Sequence, residues 1–106
     1  MSSTYATLVQ VPISAVPAQM FKITLAEQIL QIALRQRSTG LYADIWCAGT
    51  RVLSGVLCQD RTWLARTAAT GLPGDLAFMD TQGVQDPQST GLGTRYVLLW
   101  RTGWPA

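Results

Sequence analysis

The stretch MFKITLAEQILQIALRQR, residues 20–37, decides the fold of this 106-residue chain. Its first half alternates apolar and polar residues, with the apolar ones at Phe21, Ile23 and Leu25. Its second half alternates in the same way, with apolar residues at Leu30, Ile32 and Leu34. A period of two is typical of a β-strand with one buried face. Because only Ala26 and Glu27 separate the halves, we expect two antiparallel strands joined by a tight turn.

The same stretch also supports a helical interpretation over residues 25–37. It is rich in good helix formers, and the residues near helical spacing are Leu25, Ile29, Ile32 or Ala33, and Gln36. Against a helix, the alternation of the first half resumes in the second. We favour the hairpin over the helix.

Outward from this stretch, short apolar runs are separated by turn residues at fairly regular intervals. The other runs with strand character are YATLVQV (5–11), LYADIWC (41–47), VLSGVLC (52–58), DLAFMD (75–80) and TRYVLLWR (94–101). Regularly spaced short strands predict an all-β fold, here a small antiparallel β-barrel or sandwich of about 6–8 strands. We expect residues 1–106 to form a single β domain whose core spans about 5–101.

The run 41–47 predicts two faces of different character. Leu41, Ala43, Ile45 and Cys47 share one face, whereas Tyr42, Asp44 and Trp46 share the other, which would face solvent. A turn at 48–51 would place Cys47 opposite Val52 and Cys58 near Leu41. A disulfide within this hairpin is therefore not expected, and two free thiols fit a reducing compartment. Gly55, in the middle of the next run, predicts a bulge or close packing.

The composition argues against enzyme and cofactor functions. The chain has no histidine, one lysine and no cluster of acidic residues, so we expect neither catalysis nor a bound cofactor. Charged residues make up 13% of the chain, about half of the usual ~25%, which suggests that part of the surface meets other proteins. No signal peptide or apolar run of about 18 residues is seen, and no membrane association is expected.

Two long connections could carry function. In residues 80–93 the aspartates of Asp80-x-x-Gly83-x-x-Asp86 lack the dense acid spacing and the final glutamate of a calcium loop, so we expect no metal ion. Gly83 and the Asp86-Pro87 pair suit turns instead. Residues 59–74 form a connection of sixteen residues, which is long for a small domain.

Tryptophan and arginine in irregular segments point to an interface. Trp46 and Trp100 lie in predicted strands, where packing within the fold explains them. Trp63 stands between Arg61 and Arg66, and an exposed Trp104 is expected at the tail. Interface cores favour such residues, but they also bind single-stranded nucleic acid on β-barrels. The candidate interface residues are Trp63, Arg61, Arg66, Asp80, Gly83, Asp86, Pro87 and Trp104.

The order and spacing of the motifs form a longer pattern. It comprises Phe21-x-Ile23-x-Leu25, Leu30-x-Ile32-x-Leu34, Gly40, Asp44-Ile45, Leu53-x-Gly55, Gly74-x-Leu76, Asp80-x-x-Gly83, Asp86-Pro87, Leu92-Gly93 and Tyr96-Val97-Leu98. Over about residues 8–101 this pattern resembles the baseplate plug proteins of contractile-tailed phages, a family of small all-β virion proteins. The chain departs from the family at Leu41, where a tryptophan is frequent, and at Gln59-Asp60, where a glycine is frequent.

The resemblance implies a structural protein of the virion. Such a protein would pack near the axis of the tail baseplate, in several copies, against the tube, hub and sheath-initiator proteins, after assembly in the bacterial host cytoplasm. It implies no chemistry and argues against nucleic acid as a partner. The alternative function from the residues alone is a β-barrel module that binds single-stranded nucleic acid.

Overall fold

The computed structural model describes residues 8–104, which form two antiparallel sheets packed as a sandwich. One sheet has three strands in the order β1-β7-β6, and the other has four in the order β2-β3-β4-β5. The strands are β1 (Leu8–Val11), β2 (Ala18–Leu25), β3 (Gln28–Arg37), β4 (Gly40–Cys47), β5 (Thr50–Leu57), β6 (Gly74–Asp80) and β7 (Tyr96–Thr102). The predicted all-β class is confirmed, and of the two architectures the chain adopts the sandwich. Residues 5–7 of the first predicted strand lie outside the described residues.

The stretch 20–37 forms the β2–β3 hairpin, so the helical interpretation is wrong. Leu25 pairs with Gln28, which leaves Ala26 and Glu27 as a two-residue turn. Both turn residues have positive φ, 51° and 63°, as a type I′ turn requires. As strands, both halves of the stretch point their apolar side chains toward the interior. The free energy gained by burying these side chains outweighs the weak local preference for a helix.

The β4–β5 hairpin confirms the two predicted faces of β4 and corrects its turn. Side chains at 41, 43, 45 and 47 are buried, and those at 42, 44 and 46 are half-buried on the outer face. The turn contains only Ala48 and Gly49, so Cys47 pairs with Thr50 and not with Val52. The prediction of a four-residue turn was wrong because Ala48 takes a left-handed conformation (φ 51°), which is unusual for alanine. Cys58 does lie beside Leu41, and its N–H donates to the Leu41 carbonyl at 2.8 Å.

Strand β5 is irregular, as the glycine within it predicted. Its register with β4 shifts twice, between Ala43 and Ile45 and again between Ile45 and Trp46. Gly55 lies in the first irregularity with φ 60°, a conformation that suits a residue without a Cβ. The two shifts interrupt the regular spacing of backbone groups along this edge of the sheet.

The core lies between the sheets and is dominated by residues of β3, β4, β6 and β7. Its largest fully buried side chains are those of Trp100, Phe78, Leu30, Ile32, Leu34, Leu41, Ile45, Leu76, Leu92 and Leu98. Gly74 lets Trp100 fit, because a Cβ at position 74 would lie 2.0 Å from the Arg101 carbonyl oxygen and 2.8 Å from the Trp100 ring. Both cysteines are free and buried. Within the described range, neither short helix has the length or apolar character to cross a membrane.

Candidate assembly interface

The loop that connects β6 to β7, residues 81–95, is held by a buried ion pair at its base. Asp80, the last residue of β6, is 1% exposed. The Arg95 guanidinium donates to both of its carboxylate oxygens, from Nε and Nη2, at 2.9 Å each. The backbone N–H groups of Gln82 and Gln85 donate to the same carboxylate, also at 2.9 Å each. Asp80 thus fixes both ends of the tight turn that follows it.

The charge of Asp80 is strongly favoured in the folded state. The Arg95 guanidinium holds the pKa of the Asp80 carboxyl well below its ordinary value, and the two backbone N–H groups act in the same direction. Burial opposes this shift, but less strongly. The pKa of Arg95 is raised in turn by its hydrogen bonds to Asp80. A two-pronged contact between a guanidinium and a carboxylate fixes geometry as well as charge.

A second layer of contacts ties this loop to the β5–β6 connection. The Asp80 N–H donates to Asp60 at 2.7 Å, and the Asp60 N–H donates to Asp86 at 3.0 Å. Arg61 forms an ion pair with Asp60 and donates to the carbonyl oxygens of Gly83 (3.1 Å) and Asp80 (3.3 Å). Five of the predicted interface residues, Arg61, Asp80, Gly83, Asp86 and Pro87, therefore belong to one braced region.

The large apolar side chain that this region presents to solvent is Val84, which the sequence analysis missed. It is 81% exposed, compared with 59% for Ile29 and 57% for Met20. Gly83 beside it is exposed, and its carbonyl is held by Arg61. Asp80 and Pro87, in contrast, are buried, so within this part of the loop they support the exposed surface and do not form it.

The β5–β6 connection is anchored by a second buried carboxylate. Asp75 is fully buried and accepts hydrogen bonds at 2.8 Å from the N–H groups of Ala65, Arg66 and Leu76. Backbone bridges from Asp60 to Phe78 and from Trp63 to Ala77 lay the connection along the outer edge of β6. Within this connection, Ala68–Thr70 forms a short 3-10 helix.

The remaining predicted residues form a separate aromatic cluster. The guanidinium of Arg101 lies 4.2 Å from the ring centre of Trp63 and 5.8 Å from that of Trp104, within the range of cation–π contacts. The Trp104 Nε1 donates to the Leu72 carbonyl at 2.9 Å, and its ring is half-buried, so the prediction of an exposed Trp104 was wrong. Arg66 is exposed, with its Nε bound to the Trp63 carbonyl.

A further exposed surface lies on the outer face of the four-stranded sheet. Met20 and Ile29 are 57% and 59% exposed there, although both stand in regular strands. Trp46 lies half-buried on the same face, with Arg51 stacked on its ring at 4.9 Å. Strand alternation puts four basic residues and one acidic residue on this face, namely Lys22, Arg35, Arg37, Arg51 and Asp44. The face is therefore both apolar and basic.

The five aspartates accept hydrogen bonds from groups within the protein. Asp44 accepts from the Gly55 N–H at 2.6 Å and so stabilises the first bulge of β5. Within residues 8–104, no three His, Cys, Asp or Glu side chains come together in a way that could hold a metal ion.

Comparison with known proteins identifies the family. A family model described as cyanophage baseplate Pam3 plug gp18 matches residues 8–103 of the 106-residue chain. The chain belongs to this baseplate plug family. The match spans both sheets and both long loops, and it confirms the resemblance on which the sequence analysis relied. A search of curated proteins found no match.

Membership of the baseplate plug family establishes the broad role of the protein. It is a structural protein of the phage virion, located in the tail baseplate, where it contacts other baseplate proteins. The exposed apolar side chains described above are consistent with such contacts, because large hydrophobic residues gain free energy when a partner removes them from water.

Proposed function

We propose that this plug-family protein is a non-catalytic component of a contractile tail that packs near the tail axis. Its neighbours are the tube, hub and sheath-initiator proteins, and several copies are present in each particle. The copies are incorporated during assembly in the bacterial host cytoplasm. The observation that carries this proposal is the braced 81–95 loop, which presents Val84 at 81% exposure.

The bracing matters because binding is costly when it must also order the binding surface. Asp80 and Arg95 fix the base of the loop, and Arg61 holds the Gly83 carbonyl next to Val84. A loop that is already ordered loses less conformational freedom on association. Val84 is therefore suited to act as a small anchor that inserts into an apolar pocket of a neighbouring baseplate protein.

The predicted residues Trp63, Arg66 and Trp104 form a second contact region in this proposal. Trp63 and Trp104 present their rings around Arg101, and Arg66 is exposed beside them. Aromatic and arginine side chains supply much of the binding energy at protein interfaces. The two regions are linked through the β5–β6 connection, which contains both Arg61 and Trp63.

The test uses the phage itself, with single substitutions in the gene for this protein. Val84→Asp places a charge at the loop tip and is expected to lower the infective titre by at least about tenfold, because an unpaired charge at an interface is costly to bury. Ala48→Asp adds the same charge at the β4–β5 turn, in a left-handed position that Asp tolerates, and serves as the control. Trp63→Ala and Asp86→Lys extend the test to the predicted residues.

Each variant protein is also purified and melted, so that loss of folding is separated from loss of assembly. We expect the Val84→Asp protein to melt within about 2 °C of the natural protein, since the replaced side chain contributes little buried surface. Normal numbers of infective tails from Val84→Asp, together with normal tails from Trp63→Ala and Asp86→Lys, would contradict the proposed interface.

The second candidate function is binding of single-stranded nucleic acid on the outer face of the four-stranded sheet. It is favoured by the Arg51–Trp46 stack and by the excess of basic residues on that face. It predicts oligonucleotide binding that weakens steeply with salt and is lost in Trp46→Ala. The apolar side chains of Met20 and Ile29, which are 57% and 59% exposed on this face, fit a protein partner better.

A further inference from the structure

The two sheets have four outer edges, and three of them are protected against pairing with another chain. The edge at β5 is interrupted by two register shifts, and the edge at β6 is covered by bridges from Asp60 and Trp63. The edge at β1 belongs to a strand of only four described residues. Strand β2 is different, because it runs for eight residues without a register shift and no strand within residues 8–104 pairs with its outer side. Long regular edges of this kind are templates for pairing.

The hydrogen-bond pattern shows which backbone groups of β2 are free to pair. The Gln36 N–H donates to the Pro17 carbonyl, whereas the Ala48 N–H donates to the Ile29 carbonyl. Even-numbered residues of β3 therefore bond to β2, and odd-numbered residues bond to β4. Since bonding alternates along an antiparallel pair, the odd-numbered residues of β2 bond to β3. The N–H and carbonyl groups that point to the open edge belong to Ala18, Met20, Lys22 and Thr24.

The side chains along this edge are also incompletely covered. Phe21 and Ile23 point toward the core but remain partly exposed at the border of the sandwich. On the other face, Met20 is 57% exposed. An additional strand would cover apolar surface on both faces while it satisfies the open backbone groups.

We propose that β2 pairs antiparallel with β2 of a second copy of this chain, about a two-fold axis at Phe21. This register joins Ala18 to Thr24 of the second copy and Met20 to Lys22 of the second copy, and the symmetry repeats both pairs. All four open residues of each strand are then used, in four pairs of two bonds each, or about eight hydrogen bonds. The proposal relies on the proposed function only for its place in the particle, because pairing is tested on the isolated protein.

The side chains are self-complementary in this register, which favours a second copy over an unrelated strand. Phe21 faces Phe21 of the second copy directly across the axis, and aromatic cross-strand pairs stabilise sheets. Lys22 is the only charged residue of β2, and it faces Met20 of the second copy and not its own equivalent. A two-fold contact of this type is the commonest way in which identical chains associate.

The first experiment measures the mass of the full chain by sedimentation equilibrium over a range of concentrations. A dimer that dissociates on dilution is expected. Lys22→Pro should weaken the dimer at least about tenfold, because proline has no N–H to donate across the edge. It should leave the hairpin intact, since the Lys22 N–H does not bond to β3. Lys22→Thr keeps the N–H and is the matched control, expected to change the association less than about threefold.

The second experiment tests the register by cross-linking. Position 21 faces itself in a pair without hydrogen bonds, where Cα atoms are about 4.5 Å apart, within reach of a disulfide. Phe21→Cys should therefore give a covalent dimer under mild oxidation. Ile23→Cys faces Gln19 of the second copy and should not cross-link; the natural protein, whose two cysteines are buried, gives the background.

Several outcomes would overturn the inference. They are a protein that stays monomeric at all concentrations, a dimer that Lys22→Pro does not weaken, an assembly larger than a dimer, and Phe21→Cys that cross-links no better than Ile23→Cys. None of them bears on Val84 or on incorporation into the tail, so failure of the dimer and failure of the proposed function are distinguishable.

Discussion

Replacing Asp75 should show how strongly the long β5–β6 connection depends on one side chain. Its carboxylate is fully buried and accepts three backbone N–H groups, at Ala65, Arg66 and Leu76. Leaving a buried donor without a partner costs about 1–3 kcal/mol. The donors at Ala65 and Leu76 are buried, whereas that of Arg66 is closer to solvent and can bind water. Asp75→Ala should therefore lower the free energy of unfolding by about 3–5 kcal/mol.

The substitution Asp75→Asn gives a smaller, graded effect. The oxygen that binds Ala65 and Leu76 can be kept, and only the oxygen that binds Arg66 becomes an amide donor. The expected loss is about 1–2 kcal/mol. Asp86→Ala is the control, because this exposed aspartate accepts a single exposed N–H and should cost less than about 1 kcal/mol.

The assay is urea unfolding followed by tryptophan fluorescence, with thermal melts in parallel. At about 4 °C per kcal/mol, the melting temperature of Asp75→Ala should fall by roughly 12–20 °C. If Asp75→Ala unfolds within about 1 kcal/mol of the natural protein, or if the Asn variant is less stable than the Ala variant, the three hydrogen bonds do not hold the connection as described.

Three further predictions follow from the turn, the ion pair and the buried thiol. Because Ala26 and Glu27 are both left-handed, the double variant Ala26→Asn/Glu27→Gly should raise the unfolding free energy by about 1–2 kcal/mol; an unchanged urea midpoint would argue against the type I′ turn. The lowered pKa of Asp80 makes its pairing with Arg95 stabilising above the unfolded pKa of about 3.9. That stability is lost as pH falls through the lower pKa of the folded state, so the melting temperature should be more sensitive to acid in the natural protein than in Asp80→Asn. Equal acid sensitivity of the two proteins would contradict this stabilising role. Burial raises the pKa of Cys58 to about 12, so this thiol should resist alkylation at pH 8 until the protein unfolds. The free energy of unfolding should fall above about pH 9, because the thiol ionises in the unfolded state. Rapid labelling of the native protein would show that Cys58 is accessible.

Much of the sandwich could be predicted because the alternation of side chains reports burial directly. Residues 21–25 and 41–47 each show an unbroken period of two, and both form strands with the predicted faces. The two-residue turn at Ala48-Gly49 was missed because its geometry depends on a left-handed alanine. Residue type is a poor guide to such a conformation, which for alanine is imposed by the pairing of the flanking strands.

The candidate interface was predicted less well, for a physical reason. The sequence identified Asp80 and Gly83 through the pattern of the loop and Arg61 through its place near Trp63, but these residues brace the loop, whereas the exposed apolar side chain is that of Val84. The residue types around Val84 do not indicate that its side chain is exposed. Met20 and Ile29 were missed similarly, because alternation assigns a side chain to a face and does not say whether another layer covers that face.

The two register shifts in β5 also limit how far copies of this protein can grow into a larger object. A sheet with two regular edges could add subunits at both ends, and at high local concentration such growth would yield fibres. Because the β5 edge is irregular, the four-stranded sheet has a single regular edge, that of β2, at which another strand can pair. Once that edge is paired, the sheet cannot be extended further. A baseplate that contains a limited number of copies benefits from a subunit that cannot polymerise indefinitely.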